Sequence, residues 1–186
     1  MINFDTNRWK TPAQFILNVL GMIDPLQSMT WIDCAADHEN FDAELFEDYY
    51  GPREADGPPL VERRLDSETL GWLNPPYGGN PPIIEWVRWA AREAFESRAT
   101  VACLLPNSTD TLWWELTVRR ATAVYFIQGR IAFERPDDDG VWRPAGNSRQ
   151  PNILAIFAPS RPAFPGEMPF FGLMDTSGRP LKAADE

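Results

Sequence analysis

The segment LGWLNPPYGG, residues 70–79, places an Asn before two prolines, a Tyr and two glycines. Proline has no backbone donor and a fixed φ, so two in succession end a strand and do not lie inside a helix. The Asn74 side-chain oxygen and the Pro75 carbonyl oxygen can therefore form a pair of acceptors, held at a fixed spacing by the Pro75-Pro76 backbone. Such a pair can bind both N–H groups of an aromatic amine and free its lone pair for attack. The ring of Tyr77, rather than its hydroxyl, is expected to stack on the ring that carries the amine.

The four residues Asn74–Tyr77 form the NPPY corner. It lies at the end of a predicted strand, LGWLNPPY, and before the clearest predicted helix, PPIIEWVRWAAREAFESR. The apolar stripe of that helix is formed by Ile83, Ile84, Val87, Ala91 and Phe95. A second strand is predicted at about residues 29–34 in MTWIDCAAD, which ends in a turn of small residues. The apolar run ATVACLLPN is typical of a strand inside a parallel sheet.

The rest of the chain continues this alternation of helices and strands. Thr11 is a possible N-cap, with Pro12 at the first helical position, for a helix in TPAQFILNVLGMI. Further predictions are a short helix in ENFDAELFEDYYG before a strand near Tyr49, a helix in STDTLWWELTVRRA capped by Ser108 or Thr109, a strand or interrupted hairpin in AVYFIQGRIAFE with its break near Gln128-Gly129, and a last strand in PNILAIFAP.

This alternation predicts an α/β fold with a mostly parallel sheet, helices on both faces and an antiparallel strand at one edge. We expect one domain over residues 1–160 and a loosely packed tail over residues 161–186, which is rich in Pro, Gly and charge. Ligands of such sheets bind beyond the carboxyl ends of the strands. The DCAAD turn and the NPPY corner both follow strands, so they are predicted to line one crevice.

Composition limits the class of protein. Among the 186 residues, acidic side chains outnumber basic ones by 27 to 17, which argues against a general nucleic-acid coat protein. The sequence has no apolar run long enough to cross a membrane and no visible signal peptide, so a cytoplasmic location in a bacterial or phage-infected cell is expected. Cys34 and Cys103 are expected to be small core residues, and with one histidine they leave too few ligands for a structural zinc site.

Taken together, the motifs resemble the phage-type DNA N-6-adenine-methyltransferases, the Dam family of phages and prophages. The resemblance covers about residues 7–158 and is carried by RWKTP, WIDCAADHENFDAELFEDYYG, EADGPPL, LGWLNPPYGG, VACLLPNSTDTLWW and GRIAFE followed by PNILAIF, in that order. It implies a Rossmann-like methyltransferase fold. It also implies methyl transfer from S-adenosylmethionine to the exocyclic N6 amine of adenine in DNA, without a metal.

The resemblance also implies roles for individual residues. Asn74, Pro75, Pro76 and Tyr77 would hold the target adenine, while Trp9, Thr11, Pro12, Asp33, Ala35, Asp37 and Asp56 would contact the cofactor. The DCAAD loop lacks the Gly-x-Gly of many methyltransferases, so alanines must permit close approach of the cofactor to the backbone. No acidic residue is assigned to the cofactor's ribose, since Glu44, Glu47, Asp48 and Glu54 are all near in sequence.

Basic residues concentrate between positions 119 and 149. Arg130, Arg135, Arg143 and Arg149 are predicted to contact DNA, which would be a duplex with the target adenine flipped out of the stack. The alternative is a solvated face interleaved with the acidic run at residues 137–139. The sequence does not indicate a target site or an oligomeric state.

Several other interpretations of the corner stay open. NPPY also fits a peptide turn of the Asn-Pro-x-Tyr type, or a purely structural turn between strand and helix. The same chemistry could act on RNA adenine, cytosine N4 or a protein glutamine, and a non-catalytic prophage binding module could keep the fold without turnover. The resemblance across the chain favours DNA adenine, whereas the corner by itself does not.

Overall fold

The fold is built on a seven-stranded sheet in a computed structural model that describes residues 9–36, 42–49, 62–77, 81–146, 148, 150–159 and 168–182. The helices are α1 (Ala13–Ile23), α2 (Ile83–Arg92), which continues into a π-helical turn (Glu93–Ser97), and α3 (Leu112–Arg120). The strands are β1 (Thr30–Asp33), β2 (Asp48–Tyr49), β3 (Thr69–Leu73), β4 (Thr100–Pro106), β5 (Ala123–Ile127), β6 (Glu134–Pro136), β7 (Trp142–Pro144), β8 (Asn152–Phe157) and β9 (Phe170–Met174).

The strand order is β2-β1-β3-β4-β8-β5-β9, and β6 pairs with β7 in a separate antiparallel hairpin. Neighbouring strands are parallel except at β8, which is antiparallel to both β4 and β5. The mostly parallel α/β fold is thus confirmed, but the antiparallel strand expected at an edge lies inside the sheet. The C-terminal end of β5 and the N-terminal end of β8 lie side by side, so an antiparallel connection without a crossover helix joins the two strands.

The C-terminal segment contributes a strand that the sequence analysis did not predict. β9 pairs in parallel with β5 over Phe170–Met174, and Leu181 N–H donates to the Leu173 carbonyl at 2.9 Å. Phe170–Met174 therefore belongs to the sheet rather than to a loosely packed tail, because this short apolar run pairs with β5 along its whole length. The boundary at residue 160 stays a prediction, since residues 160–167 lie outside the described part of the chain.

Helices cover both faces of the sheet, as predicted. Side chains alternate across β3, so Leu70 and Trp72 pack against α1, whereas Leu73 packs on the side of α2 and α3. All five β3 residues and all seven β4 residues are buried, which agrees with strands inside a parallel sheet. The central strands are thereby fixed on both sides, and the turns at their carboxyl ends have a rigid base.

The start of α1 differs from the prediction. Pro12, with φ −54° and ψ 130°, is the N-cap residue, and the helix begins at Ala13. Thr11 does not cap the helix, because its buried hydroxyl accepts a hydrogen bond from Asn74 Nδ2 at 3.2 Å. Thr11, although its residue type is common at helix N-caps, therefore contacts the NPPY corner instead.

The end of α2 also differs from the prediction. Phe95, expected on the apolar stripe, is 76% exposed, while Glu93 is fully buried. A π turn has more residues per turn than an α-helix, so it rotates the side chains that follow it out of helical register. The buried Glu93 carboxylate accepts from the Leu65 N–H at 2.9 Å and thereby ties the end of this helix to the segment before β3.

The remaining predictions are confirmed only in part. The cap of α3 is Thr111, whose side chain accepts from Trp114 N, rather than Ser108 or Thr109. Residues 42–47 form a turn and a bend rather than a helix before β2, and residues 39–41 lie outside the described part. β5 ends at Ile127, near the predicted break, where Gly129 has a φ of 100°.

The two cysteines are free and fully buried, as predicted for core residues. Burial raises the pKa of both thiols, and the nearby Asp33 charge raises that of Cys34 further. Because the thiolate is the reactive form, we expect the folded protein to react with DTNB only after unfolding in denaturant. Rapid stoichiometric labelling of the native protein would contradict this packing.

Candidate functional site

Several chain segments meet beyond the carboxyl ends of β1 and β3, as the topology predicts. They line one cleft with Trp9, Lys10, Thr11, Ile16, Asp33, Ala35, Ala36, Asp42, Phe46, Trp72 and Asn74. The β1–β3 pairing brings Asp33 opposite Trp72, so the DCAAD turn and the NPPY corner are adjacent. The structure thus brings Trp9, Thr11, Asp33 and Ala35 of the predicted cofactor site next to Asn74 of the predicted substrate site.

The Asn74 amide has different partners on its two sides. Its Nδ2 donates to Thr11 Oγ1 at 3.2 Å, and its Oδ1 accepts from the Tyr77 hydroxyl at 3.2 Å. A carbonyl oxygen has two lone pairs, so Oδ1 can accept one further hydrogen bond. The arrangement therefore orients the amide with its oxygen available as an acceptor, as the predicted role of Asn74 requires.

Tyr77 is held by its hydroxyl, while 38% of the residue stays exposed. The hydroxyl also lies 3.4 Å from the Leu104 carbonyl and accepts from Asn152 Nδ2 at 3.1 Å. Burial of this oxygen raises the pKa of Tyr77 above its ordinary value, although the Asn152 hydrogen bond acts in the opposite direction. The hydroxyl consequently keeps its proton at neutral pH, and the ring leaves surface for a stacking partner. Pro75 is buried and Pro76 half-buried, as suits a stiff corner.

Asn152 is a site residue that the sequence analysis missed. It is the first residue of β8, opposite Pro106 of β4, and it is 2% exposed. The signal in the sequence is a lone polar residue at the start of the apolar run NILAIF, because a buried amide requires hydrogen-bond partners. Its partner Tyr77 lies 75 positions earlier in the chain, so no local pattern could identify it.

The turn after β1 and the residues near it combine charged and apolar groups in the cleft. Asp33 Oδ1 accepts from Ala35 N at 3.0 Å, which shapes the turn after β1. Lys10 Nζ forms an ion pair with Asp42 Oδ2 at 2.8 Å, which was not predicted. Ala35 and Ala36 have no side chain beyond Cβ, so a ligand can approach this turn closely.

Trp9 connects the cleft to the β6–β7 hairpin. Its ring packs edge-on against Phe133 and lies under the Arg135 guanidinium, at 4.9 Å from Cζ to the ring centroid. Lys10 extends the hairpin by exchanging backbone hydrogen bonds with Glu134 in both directions. The hairpin is thus attached to the chain segment that contains Thr11.

The predicted DNA-contacting arginines are partly brought together. Arg135 and Arg143 are directly opposite each other in the hairpin, and Arg143 Nε donates to Asp137 Oδ2 at 2.6 Å. Arg130 is exposed in the segment after β5. The other members of the basic region, Arg119 and Arg120, end α3 just before β5 begins, so they lie at the opposite edge of the sheet.

Three predicted site residues, Asp37, Asp56 and Arg149, lie outside the described residues. In the ranges that are described, no group of three or more His, Cys, Asp or Glu side chains is arranged to hold a metal ion. The same ranges contain no helix with the length and apolar character needed to cross a membrane.

Comparisons with known proteins bear on the fold and the family. A solved structure from Vibrio vulnificus YJ016, assigned as a modification subunit of a type I restriction enzyme, superposes with a TM-score of 0.55 over 95% of this chain. The chain spans 51% of that protein, and at 13% identity the likeness shows the fold alone. No curated protein matches the chain. The family model described as DNA N-6-adenine-methyltransferase (Dam) matches residues 2–164. The chain therefore belongs to the DNA N-6-adenine-methyltransferase (Dam) family, as the order of its motifs predicted.

Proposed function

We propose that this protein transfers a methyl group from S-adenosylmethionine to the exocyclic N6 amine of adenine in duplex DNA. The observation that carries the proposal is the Asn74 amide, whose oxygen is oriented by Thr11 and Tyr77 at the edge of the cleft. Family membership favours adenine in DNA over the other amines that such a corner could bind.

Asn74 and Pro75 activate the amine in this proposal. The lone pair of an aromatic amine is delocalised into the ring, and two acceptors on its N–H groups favour the pyramidal geometry in which that pair is free. Oδ1 of Asn74 supplies one acceptor through its remaining lone pair, and the Pro75 carbonyl supplies the other. Because both groups are held before the substrate arrives, little reorganisation is needed at the reacting step. The proton that the amine must lose can leave to water after transfer, so no strong base is required.

The cleft chemistry fits S-adenosylmethionine, which would supply an activated methyl on a sulfonium cation. The carboxylates of Asp33 and Asp42 suit the positive charges of such a ligand, and Lys10 suits its carboxylate. Thr11 adds a buried hydroxyl, and Ile16 and Phe46 add apolar surface for the nucleoside. We propose Trp9, Thr11, Asp33 and Ala35 as contacts on this basis. The roles of Pro12, which does not line the cleft, and of Asp37 and Asp56 remain predictions from the resemblance.

The target adenine must leave the helix stack to reach the corner. Flipping a base costs a few kcal/mol, which is offset by stacking and by hydrogen bonds to the base edge. The exposed part of Tyr77 offers a stacking surface next to Asn74. The hairpin arginines Arg135 and Arg143, with Arg130 and Arg149, would contact the flanking phosphates or bases.

A single assay tests the proposal. The protein is incubated with methyl-labelled S-adenosylmethionine and duplex DNA, and the digested nucleosides are separated. Label in N6-methyl-2′-deoxyadenosine from DNA is the expected result. Label in cytosine, in RNA or in protein supplied in parallel would assign another substrate, and no transfer to any of them would overturn the proposal.

The β6–β7 hairpin also predicts how DNA binding depends on salt concentration. Removing both Arg135 and Arg143 by substitution with Ala should lower the slope of log Kobs against log[salt] by about 0.9 for each DNA phosphate that these side chains neutralise. Arg119→Ala is the matched control, because this arginine pairs with Glu115 at the opposite edge of the sheet. If the double variant keeps the wild-type slope in fluorescence anisotropy titrations, DNA binds elsewhere.

A further inference from the structure

Asn152 has an unusual environment for a residue at the start of a buried strand. Its Nδ2 lies 3.4 Å from the Leu105 carbonyl and 3.1 Å from the Tyr77 hydroxyl, whereas its Oδ1 is buried with no hydrogen-bond partner among the described residues. A buried acceptor without a partner destabilises a fold, and an apolar side chain would avoid that cost. The requirements of the core therefore do not explain an asparagine here.

The hydrogen bonds of Asn152 have a defined direction. The Leu105 carbonyl can only accept, so the NH2 group must face it, and the same NH2 group donates to Tyr77. The tyrosine oxygen then acts as an acceptor towards Asn152, and its single proton has two acceptors in reach, Asn74 Oδ1 at 3.2 Å and the Leu104 carbonyl at 3.4 Å. Asn74 Oδ1 is the nearer of the two.

The direction of the Tyr77 hydrogen bond affects the orientation of the Asn74 amide. With Tyr77 donating to Oδ1, the NH2 group of Asn74 faces Thr11 Oγ1, which accepts from it. A flipped amide would place its own NH2 group against the tyrosine proton. When Tyr77 donates to this nearer acceptor, the hydrogen bonds from Asn152 through Tyr77 favour one of the two amide orientations of Asn74.

We propose that Asn152 is a positioning residue that acts through the Tyr77 hydroxyl to keep the Asn74 oxygen directed at the substrate amine. The proposal rests on the proposed function, since it assigns a purpose to the orientation of Asn74. It also assigns a role to the Tyr77 hydroxyl in addition to stacking by the ring. Asn152 itself does not contact the substrate.

A double-mutant cycle of Asn152→Ala and Tyr77→Phe tests the proposal. Each single variant should lower kcat by about 10- to 100-fold, the scale of a small misplacement of reacting groups, with the cofactor dissociation constant and the KM for DNA nearly unchanged. In the Tyr77→Phe background, Asn152→Ala should cost no more than about twofold, because the link is already broken. Equal losses in both backgrounds, or wild-type kcat for Tyr77→Phe, would overturn the proposal.

Asn18→Ala is the matched control. Its amide also donates to the carbonyl of a distant segment, Ser177 at 2.7 Å, but it lies on α1 away from Tyr77. We expect this variant to keep the wild-type kcat. A loss as large as that of Asn152→Ala would show a general effect on the fold and overturn the positioning role.

A second readout does not depend on turnover. In ¹H–¹⁵N spectra, the side-chain amide signal of Asn74, identified by its loss in Asn74→Asp, should shift in Asn152→Ala and in Tyr77→Phe but stay in place in Asn18→Ala. An unchanged signal in the first two variants would overturn the positioning role. A shifted signal in a protein that methylates no adenine would instead support the contact chain and overturn the proposed function.

Discussion

Asn74→Ala should reduce kcat for adenine methylation by about 100- to 1,000-fold, the usual effect of removing one preorganised hydrogen-bonding group. The substitution removes an acceptor for the amine and breaks the contacts with Thr11 and Tyr77. Single-turnover transfer from labelled cofactor to DNA measures the loss directly. Cofactor affinity, measured by calorimetry, should change only a few-fold, because Asn74 is one of several groups lining the cleft.

Asn74→Asp is the informative companion variant. It keeps an acceptor oxygen towards the amine and Tyr77 but loses the NH2 group that donates to Thr11. We therefore expect activity between those of the wild type and Asn74→Ala. Near wild-type transfer by Asn74→Ala would show that this side chain does not activate the amine.

The largest expected effect on stability is at the buried carboxylate in the π turn. Oε2 of Glu93 accepts from the Leu65 N–H and from Ser97, and Oε1 accepts from Arg92. Glu93→Ala would leave these donors unsatisfied and should lower the free energy of unfolding by about 3 kcal/mol, as measured by urea denaturation. Glu96→Ala is the matched control, because Glu96 contributes only an exposed ion pair with Arg64, worth about 0–1 kcal/mol.

Glu93 also predicts how the free energy of unfolding depends on pH. Burial alone would raise the pKa of Glu93, but the hydrogen bonds from Leu65, Ser97 and Arg92 outweigh it and lower the pKa below its ordinary 4.5. A carboxyl group with a lowered pKa in the folded state stabilises the fold above its ordinary pKa and loses that effect as the pH falls through the lowered value. The difference between wild type and Glu93→Ala should therefore be constant near neutral pH and shrink as the pH falls through the ordinary 4.5 and below it. A difference that grows on acidification would contradict the lowered pKa.

Much of the sheet could be predicted because its strands and helices are locally encoded. β4 is a continuous apolar run and α2 has a clear apolar stripe, so neither depends on distant partners for its assignment. The register change at Glu93 was not predictable, since a π turn follows from the buried contacts of that side chain rather than from periodicity. β9 was missed because its apolar run FFGLM is short and lies in a segment rich in Pro, Gly and charge.

In the candidate site, too, locally encoded features were predicted and long-range contacts were not. Asn74 and Tyr77 were identified by a short motif whose chemistry can be read locally, and Asp33 by its place after a buried strand. The use of Thr11 as an acceptor for Asn74, and of Asn152 as a donor to Tyr77, depends on contacts across 63 and 75 positions. Side-chain hydrogen bonds at such separations require the topology to be known first.

The inverted direction of β8 has a consequence for how this protein can diversify. β5 leaves the sheet and β8 re-enters it at the edge where the cleft opens, so residues 128–151 start and finish beside the same rim. Ile131 and Phe133 pack in the core and Glu134 pairs with Lys10, so the base of this excursion is fixed, whereas the turn between β6 and β7 can change in length without altering any ladder of the sheet. Exchanging the turn between Pro136 and Trp142 would therefore vary the rim of the cleft while the sheet and the NPPY corner stay unchanged.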